Sequence, residues 1–170
     1  MSYPPAVVVM GVCGSGKSTI GRALAESCGG VFHDADDFHP LVNIEKMKRG
    51  APLDDADRAP WLERLATLLT DSASTESPVF LACSALKASY RDILSSGCDG
   101  LKFVHLSGTP EVIRSRLRAR SGHFMPETLI DSQFTALEVP TGALAVDIDQ
   151  SVDAILATIV FWLESPFANA

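Results

Sequence analysis

No apolar run in this chain is long enough to cross a bilayer, and its start lacks a charged lead followed by an apolar signal core. Membrane insertion and secretion are therefore not expected. Cysteine is sparse and scattered, at Cys13, Cys28, Cys83 and Cys98. The spacing fits neither a metal site nor a disulfide framework, which points to reduced thiols in a cytoplasmic setting. Positive charge is also short: 14 Lys and Arg stand against 21 Asp and Glu, a net charge of -7. With no basic tail or stripe, general binding to nucleic acid or to anionic membranes is excluded, although a local basic pocket is not. Repeats, low-complexity segments and a second domain are absent too. What remains is 170 residues with ordinary hydrophobic and charged content, enough for one globular domain with a real core.

One stretch organises that domain. Ala6-Val7-Val8-Val9-Met10 is an apolar, β-branched run that reads as a buried parallel strand. Gly11-Val12-Cys13-Gly14-Ser15-Gly16-Lys17-Ser18 then fits G-x-x-x-x-G-K-[ST], and helix follows. Strand, glycine loop and helix together turn this pattern into a phosphate-binding loop rather than a glycine-rich turn. The backbone must curl until its N–H groups converge on one anion, and glycine permits that and leaves room for the phosphate. The helix adds its positive N-terminal end. The nucleotide-binding set is thus Gly11 to Thr19. Lys17 reaches the outer phosphates and Ser18 offers its hydroxyl to magnesium. Cys13 occupies a variable position, where packing is its expected role.

The rest alternates strand and helix, which implies five parallel strands with helices on both faces and a ligand at the strands' carboxyl ends. The expected strands are Ala6–Met10, Val31–His33, Val79–Ala82, Leu101–Leu106 and Leu144–Ile148. The expected helices are Lys17–Ser27, a short one around Asn43–Lys48, Trp61–Ser72, Lys87–Leu94, one opened by Thr109 and Pro110, and Val152–Leu163. The turn-broken stretch of about 38–60, punctuated by Gly50, Pro52 and Pro60, reads as a substrate flap. Ser121–Gln133 breaks the pattern, and a lid is expected over about 120–135.

Three constellations follow the loop. Asp34 and Asp36, two apart on an extended segment, point the same way at the end of strand two. Beside a nucleotide, one can orient magnesium and the other can take a proton from an attacking hydroxyl, unless they merely cap a turn. The favoured assignment gives Asp36 the proton and Asp34, with Ser18, the metal. His39, Asn43, Lys46 and Arg58 on the flap, with Lys87 and Arg91 one helical turn apart after strand three, would ring a small hydroxylated anion; the plain alternative is a solvated, charge-paired surface. Arg116 and Arg120 share one helical face. Arg120 borders the lid and is the first choice for the transferred phosphoryl group, Arg116 the second; complementing the helix dipole is the alternative. The acidic residue that motor and switch proteins carry after strand three is missing, since that strand ends in Cys83-Ser84.

These residues resemble the gluconate kinases, a family of small P-loop kinases. The flap string His39-Pro40, Asn43-Ile44, Lys46-Met47, Gly50, Pro52-Leu53, Asp55, Asp57-Arg58 and Pro60-Trp61-Leu62 is similar to the family's. So are Cys83-Ser84-Ala85-Leu86-Lys87 with Tyr90-Arg91-Asp92, and the lid string Arg116-Leu117, Arg120, Gly122-His123-Phe124-Met125, Ser132-Gln133-Phe134 and Leu137-Glu138. The resemblance implies a nucleoside-monophosphate-kinase-like P-loop NTPase fold, ATP and magnesium as cofactors, phosphorylation of D-gluconate on its 6-hydroxyl, and a homodimer. It adds His123 and Gln133 to the substrate-binding set. Cys13 stands where serine is frequent, Ala35 where glycine is frequent, and Val139 separates Glu138 from Pro140. A shikimate-type or nucleoside-monophosphate kinase and a non-catalytic nucleotide-binding module are the rival readings.

Overall fold

The computed structural model describes residues 3–119 and 127–165, with the backbone alone at 127. Five parallel strands form one sheet: β1 (Ala6–Met10), β2 (Val31–Asp34), β3 (Val79–Ala82), β4 (Lys102–Ser107) and β5 (Leu144–Asp147), in the order β2-β3-β1-β4-β5. Val7 pairs with Phe80 on one side and with Lys102 on the other. As the central strand, β1 is covered on both faces, and every one of its residues is fully buried. That is why it reads as an unbroken apolar run rather than an alternating one.

Two cores lie on the two faces. Val7 and Val9 point to one, with Ile20 and Leu24 of α1 (Lys17–Cys28), Ile113 and Leu117 of α5 (Pro110–Ala119), Ile130 of α6 (Glu127–Ala136) and Ile155 and Ile159 of α7 (Val152–Leu163). Ala6, Val8 and Met10 point to the other, with Trp61, Leu65 and Leu69 of α3 (Asp55–Ser72) and Leu94 of α4 (Ala88–Ser95). Alternation along one strand thus feeds both layers. A short α2 (Leu41–Lys48) crosses the flap. No helix among the described residues is long and apolar enough to cross a membrane.

Three expectations need correction. The helix expected from Trp61 begins at Asp55 and runs through Pro60. A proline lacks the N–H and crowds the carbonyl four residues back, so it reads as a stop. Here an Asp54–Asp57 capping box offsets that, each carboxylate accepting the other residue's N–H at 2.8 Å. The second half of the expected lid is α6, whose Ile130 is buried in the core; Arg120, His123 and the first half of the lid lie outside the described residues. Finally, the segment after β2 is not extended: Ala35–Phe38 form a 3₁₀ turn capped by Asp34.

Candidate active site

The phosphate loop joins β1 to α1. Gly11, at φ 147°, could not carry a side chain, because a Cβ would stand 2.7 Å from the Leu106 carbonyl and 2.8 Å from Ser15 Oγ. At Gly14 it would meet Leu117 at 2.9 Å. The protein itself, not only a phosphate, therefore demands these glycines: the loop's back lies against β4 and α5 so that its amides can turn inward. The first-turn N–H groups of α1 have no intrahelical partner and are free to meet an anion.

Within the loop, Val12 O is a hub. It accepts from Lys17 Nζ at 3.1 Å and from the Ser15 N–H at 3.2 Å. The Ser15 side chain is buried against Gly11, and its Oγ has no hydrogen-bond partner among the described residues. Lys17 is half-buried; burial lowers its pKa, and Cys13, Cys83, Asp36 and Asp34 pull it back up. Thr19, the third residue of α1, is exposed. Arg116 of α5 reaches back to the Ile148 carbonyl just beyond β5, with Nη1 3.8 Å from where a Gly16 Cβ would be.

Asp34 does both things that were set against each other: it caps the turn and it faces the loop. Its Oδ1 accepts the Asp36 N–H at 3.1 Å, and its Oδ2 accepts from Ser18 Oγ at 2.7 Å. A hydroxyl and a carboxylate at that spacing form a hard oxygen pair of the kind magnesium takes. Water reaches Asp36, yet crowding by protein, and then the Asp34 charge, raise its pKa above the ordinary aspartate value. A carboxyl so tuned is better suited to take a proton near neutrality. Cys83, where an acid is missing after β3, is fully enclosed, and burial pushes its thiol up to about 12, so it stays neutral.

The flap cations come to the same side of the molecule, but each is already engaged. Lys46 Nζ meets Asp57 Oδ2 at 2.5 Å. Arg58 donates to Leu53 O at 2.5 Å and lies over the Tyr90 ring at 5.9 Å. Lys87 meets both oxygens of Asp55, at 2.8 and 2.9 Å, and Tyr90 donates to the same carboxylate at 2.5 Å. His39 stacks on Trp61, centroids 4.3 Å apart, and burial lowers its pKa, which keeps the ring neutral at pH 7. Trp61 in turn donates to Ala35 O at 2.7 Å, tying the flap to the turn that carries Asp36.

Lys87 and Arg91 do not share a face, contrary to expectation. Lys87 precedes α4 as its N-cap and points to Asp55, whereas Arg91 turns back to the Ala85 and Leu86 carbonyls at 2.8 and 3.0 Å. Arg91 also lines a separate cavity of about 290 Å³ with Lys102 and Pro140. What it steadies is Ala85, a non-glycine residue at φ 46° whose neighbour Ser84 accepts the Gly11 N–H at 3.4 Å. Gln133, from α6, meets the loop directly: its Oε1 accepts the Cys13 N–H at 2.6 Å. Asp55, Asp57 and Tyr90 were not singled out by residue reasoning. The Asp54-Asp55-Ala56-Asp57 string, an N-terminal helix signature, was the available signal for the two aspartates.

A phosphate loop, a Ser–Asp pair at its exit and an acidic turn beside it, on a 2-3-1-4-5 parallel sheet, define a small-molecule P-loop kinase. Comparison with known proteins agrees: the family described as "Shikimate kinase" matches residues 13–138. A "Probable gluconokinase" of Xenopus tropicalis is 44% identical over 171 residues, 90% of each chain. The "Thermoresistant gluconokinase" of Escherichia coli (strain K12) is 43% identical over 157 residues, again 90% of each. The crystal structure of a gluconokinase from Sinorhizobium meliloti 1021 matches with a TM-score of 0.87 at 44% identity, covering 96% of this chain and 93% of that one. Within the P-loop kinases, this chain belongs to the gluconokinase family.

Proposed function

We propose that this protein transfers the γ-phosphoryl group of ATP to the 6-hydroxyl of D-gluconate, giving 6-phospho-D-gluconate and ADP. The observation that carries the chemistry is the convergence of Lys17, the Ser18–Asp34 pair and Asp36 at the carboxyl ends of β1 and β2. The family supplies the acceptor. In this reading Gly14 to Thr19 hold the polyphosphate, Lys17 reaches the outer phosphates from its place on Val12 O, and Arg116 flanks the loop at Gly16. Ser18 and Asp34 would hold magnesium, which when bound neutralises charge between the outer phosphates.

Asp36 takes the proton of the attacking 6-hydroxyl as the oxygen–phosphorus bond forms and the bond to ADP breaks. Because the transition state is loose, placing the hydroxyl matters more than the strength of the base. The gluconate carboxylate is assigned to cations from Lys46, Arg58 and Lys87, with His39 toward the hydroxyls; Gln133 serves the phosphate loop instead, and Arg91 the Ala85 and Leu86 carbonyls. Arg120 is assigned to the transferred phosphoryl from its helical face and its place beside the lid, and His123 to the substrate from the resemblance alone; both lie outside the described residues. A homodimer follows from the same resemblance and a cytoplasmic setting from the scattered cysteines, and no nucleic-acid or membrane partner is proposed. The deciding experiment is a coupled assay with ATP, magnesium and a panel of acceptors. Product is expected with D-gluconate and not with shikimate or nucleoside monophosphates; transfer to one of those instead, or to none, refutes the reading.

A further inference from the structure

The Val12–Cys13 peptide is gripped at both ends by side chains. Its carbonyl accepts from Lys17 Nζ at 3.1 Å, and its N–H donates to Gln133 Oε1 at 2.6 Å, across 120 residues of sequence. The P-loop lysine is the group that reaches the outer phosphates, so this peptide stands at that end of the loop. The element that presents Gln133 is itself pinned. Ile130 of α6 is 3% exposed, and Asp131 accepts from Arg114 of α5 at 2.5 Å. Just beyond α6, Glu138 donates its N–H to Leu86 O at 2.9 Å and accepts the Ala88 N–H at 2.6 Å. The carboxamide is thus delivered by anchored structure rather than by a wandering side chain.

Resting on the kinase reading above, we infer that Gln133 is a positioning residue for phosphoryl transfer: by accepting the Cys13 N–H, it fixes which way the Val12–Cys13 peptide faces and so keeps Lys17 parked beside the outer-phosphate position. Gly11 and Gly14 flank this segment and leave its peptide planes easy to turn. A plane that turned over would remove the carbonyl on which Lys17 rests and aim an oxygen at an incoming phosphate. Glutamine supplies the acceptor without adding a third carboxylate beside Asp34 and Asp36. None of the described residues accepts from its NH₂ group, so the Cys13 amide is the protein contact that sets its orientation.

The test compares Gln133→Met, close in length but without the oxygen, with Gln133→Glu, which keeps an acceptor. The first readout is the Cys13 amide resonance and its hydrogen exchange in the full-length, nucleotide-free protein, which needs no sugar acid. In Gln133→Met the resonance should move upfield and exchange should speed by roughly five- to tenfold, as for one lost hydrogen bond, while Gln133→Glu stays near the parent. The second is turnover at saturating substrates. For Gln133→Met, kcat should fall roughly tenfold with KM for D-gluconate unchanged. Gln133→Glu should keep most of its kcat and raise KM for ATP through its added charge. An unmoved Cys13 amide, or Met and Glu variants that lose kcat alike, overturns the inference. A raised KM for D-gluconate with kcat intact also overturns it, and makes Gln133 a substrate ligand instead. If the parent transfers nothing to D-gluconate while the amide responds as described, the kinase reading falls and the peptide lock stands.

Discussion

The phosphate loop and the flap are built on opposite plans. The loop offers mainly backbone N–H groups, and its glycines are held by the Leu106 carbonyl, Ser15 and Leu117 behind them. The flap and the turn after β3 offer side chains, each of which already has a partner: Lys46 with Asp57, Lys87 with Asp55, Arg58 with Leu53 O, Arg91 with two carbonyls. Backbone donors need no counter-ion and lose no rotamer freedom when a ligand arrives. In a protein of net charge -7, unpaired lysines on a flap would be drawn to carboxylates anyway, and here they are. On the proposed reading, a sugar-acid carboxylate would have to join or displace Asp55 and Asp57, whereas a polyphosphate would meet amides that are waiting.

The largest effect should come from the one side chain the loop does use. Lys17→Ala is expected to lower kcat by about a thousandfold while leaving the fold intact, as read by turnover and by circular dichroism. Turnover near that of the parent would mean that the backbone alone suffices. Asp36→Asn should cost about a hundredfold in kcat. Because burial and the Asp34 charge disfavour the Asp36 carboxylate in the folded state, the same variant should melt no lower than the parent. A variant that loses stability instead would make Asp36 structural.

Acid should separate the two regions. Asp36 has a raised pKa, so it gains its proton above the ordinary aspartate value of about 3.9, and kcat/KM should fall first, through that range. Asp55 and Asp57 are held below the ordinary value, by hydrogen bonds from Lys87 and Tyr90 and from Lys46 and the Asp54 amide respectively. Their contribution to the flap is present above about pH 4 and disappears as pH falls through their depressed folded pKa values. Tryptophan fluorescence from Trp61 should thus hold steady over the pH range in which activity drops, and a coincident change would join what the structure keeps apart. The smallest effect is expected from Lys87→Met. If the flap cation meets the gluconate carboxylate, KM for gluconate rises roughly tenfold with kcat unchanged. If it serves only Asp55, KM holds and only the salt dependence of melting changes.

Much of this was legible in the residues. The β1–loop–α1 unit, Ser18 with Asp34, and all five strands emerged because each is written in contiguous sequence: an apolar run, glycines at fixed steps, a carboxylate closing a strand. The Asp34–Asp36 pair was read with the right neighbours but the wrong backbone, since alternation along an extended chain does not foresee a 3₁₀ turn capped by its first aspartate. The start of α3 was misread because Pro60 is a stop in isolation, whereas the Asp54–Asp57 box starts the helix ahead of it.

Local sequence, then, decided where the glycine loop and the start of α1 fall, because an apolar run, glycines at fixed steps and a helix start are written in neighbouring residues. Tertiary packing decided what each flap cation touches, why Ala85 holds a left-handed turn, and that Gln133 reaches Cys13. Those contacts join residues up to 120 positions apart, and they exist only once α3 lies on α4 and α6 is pinned against the loop.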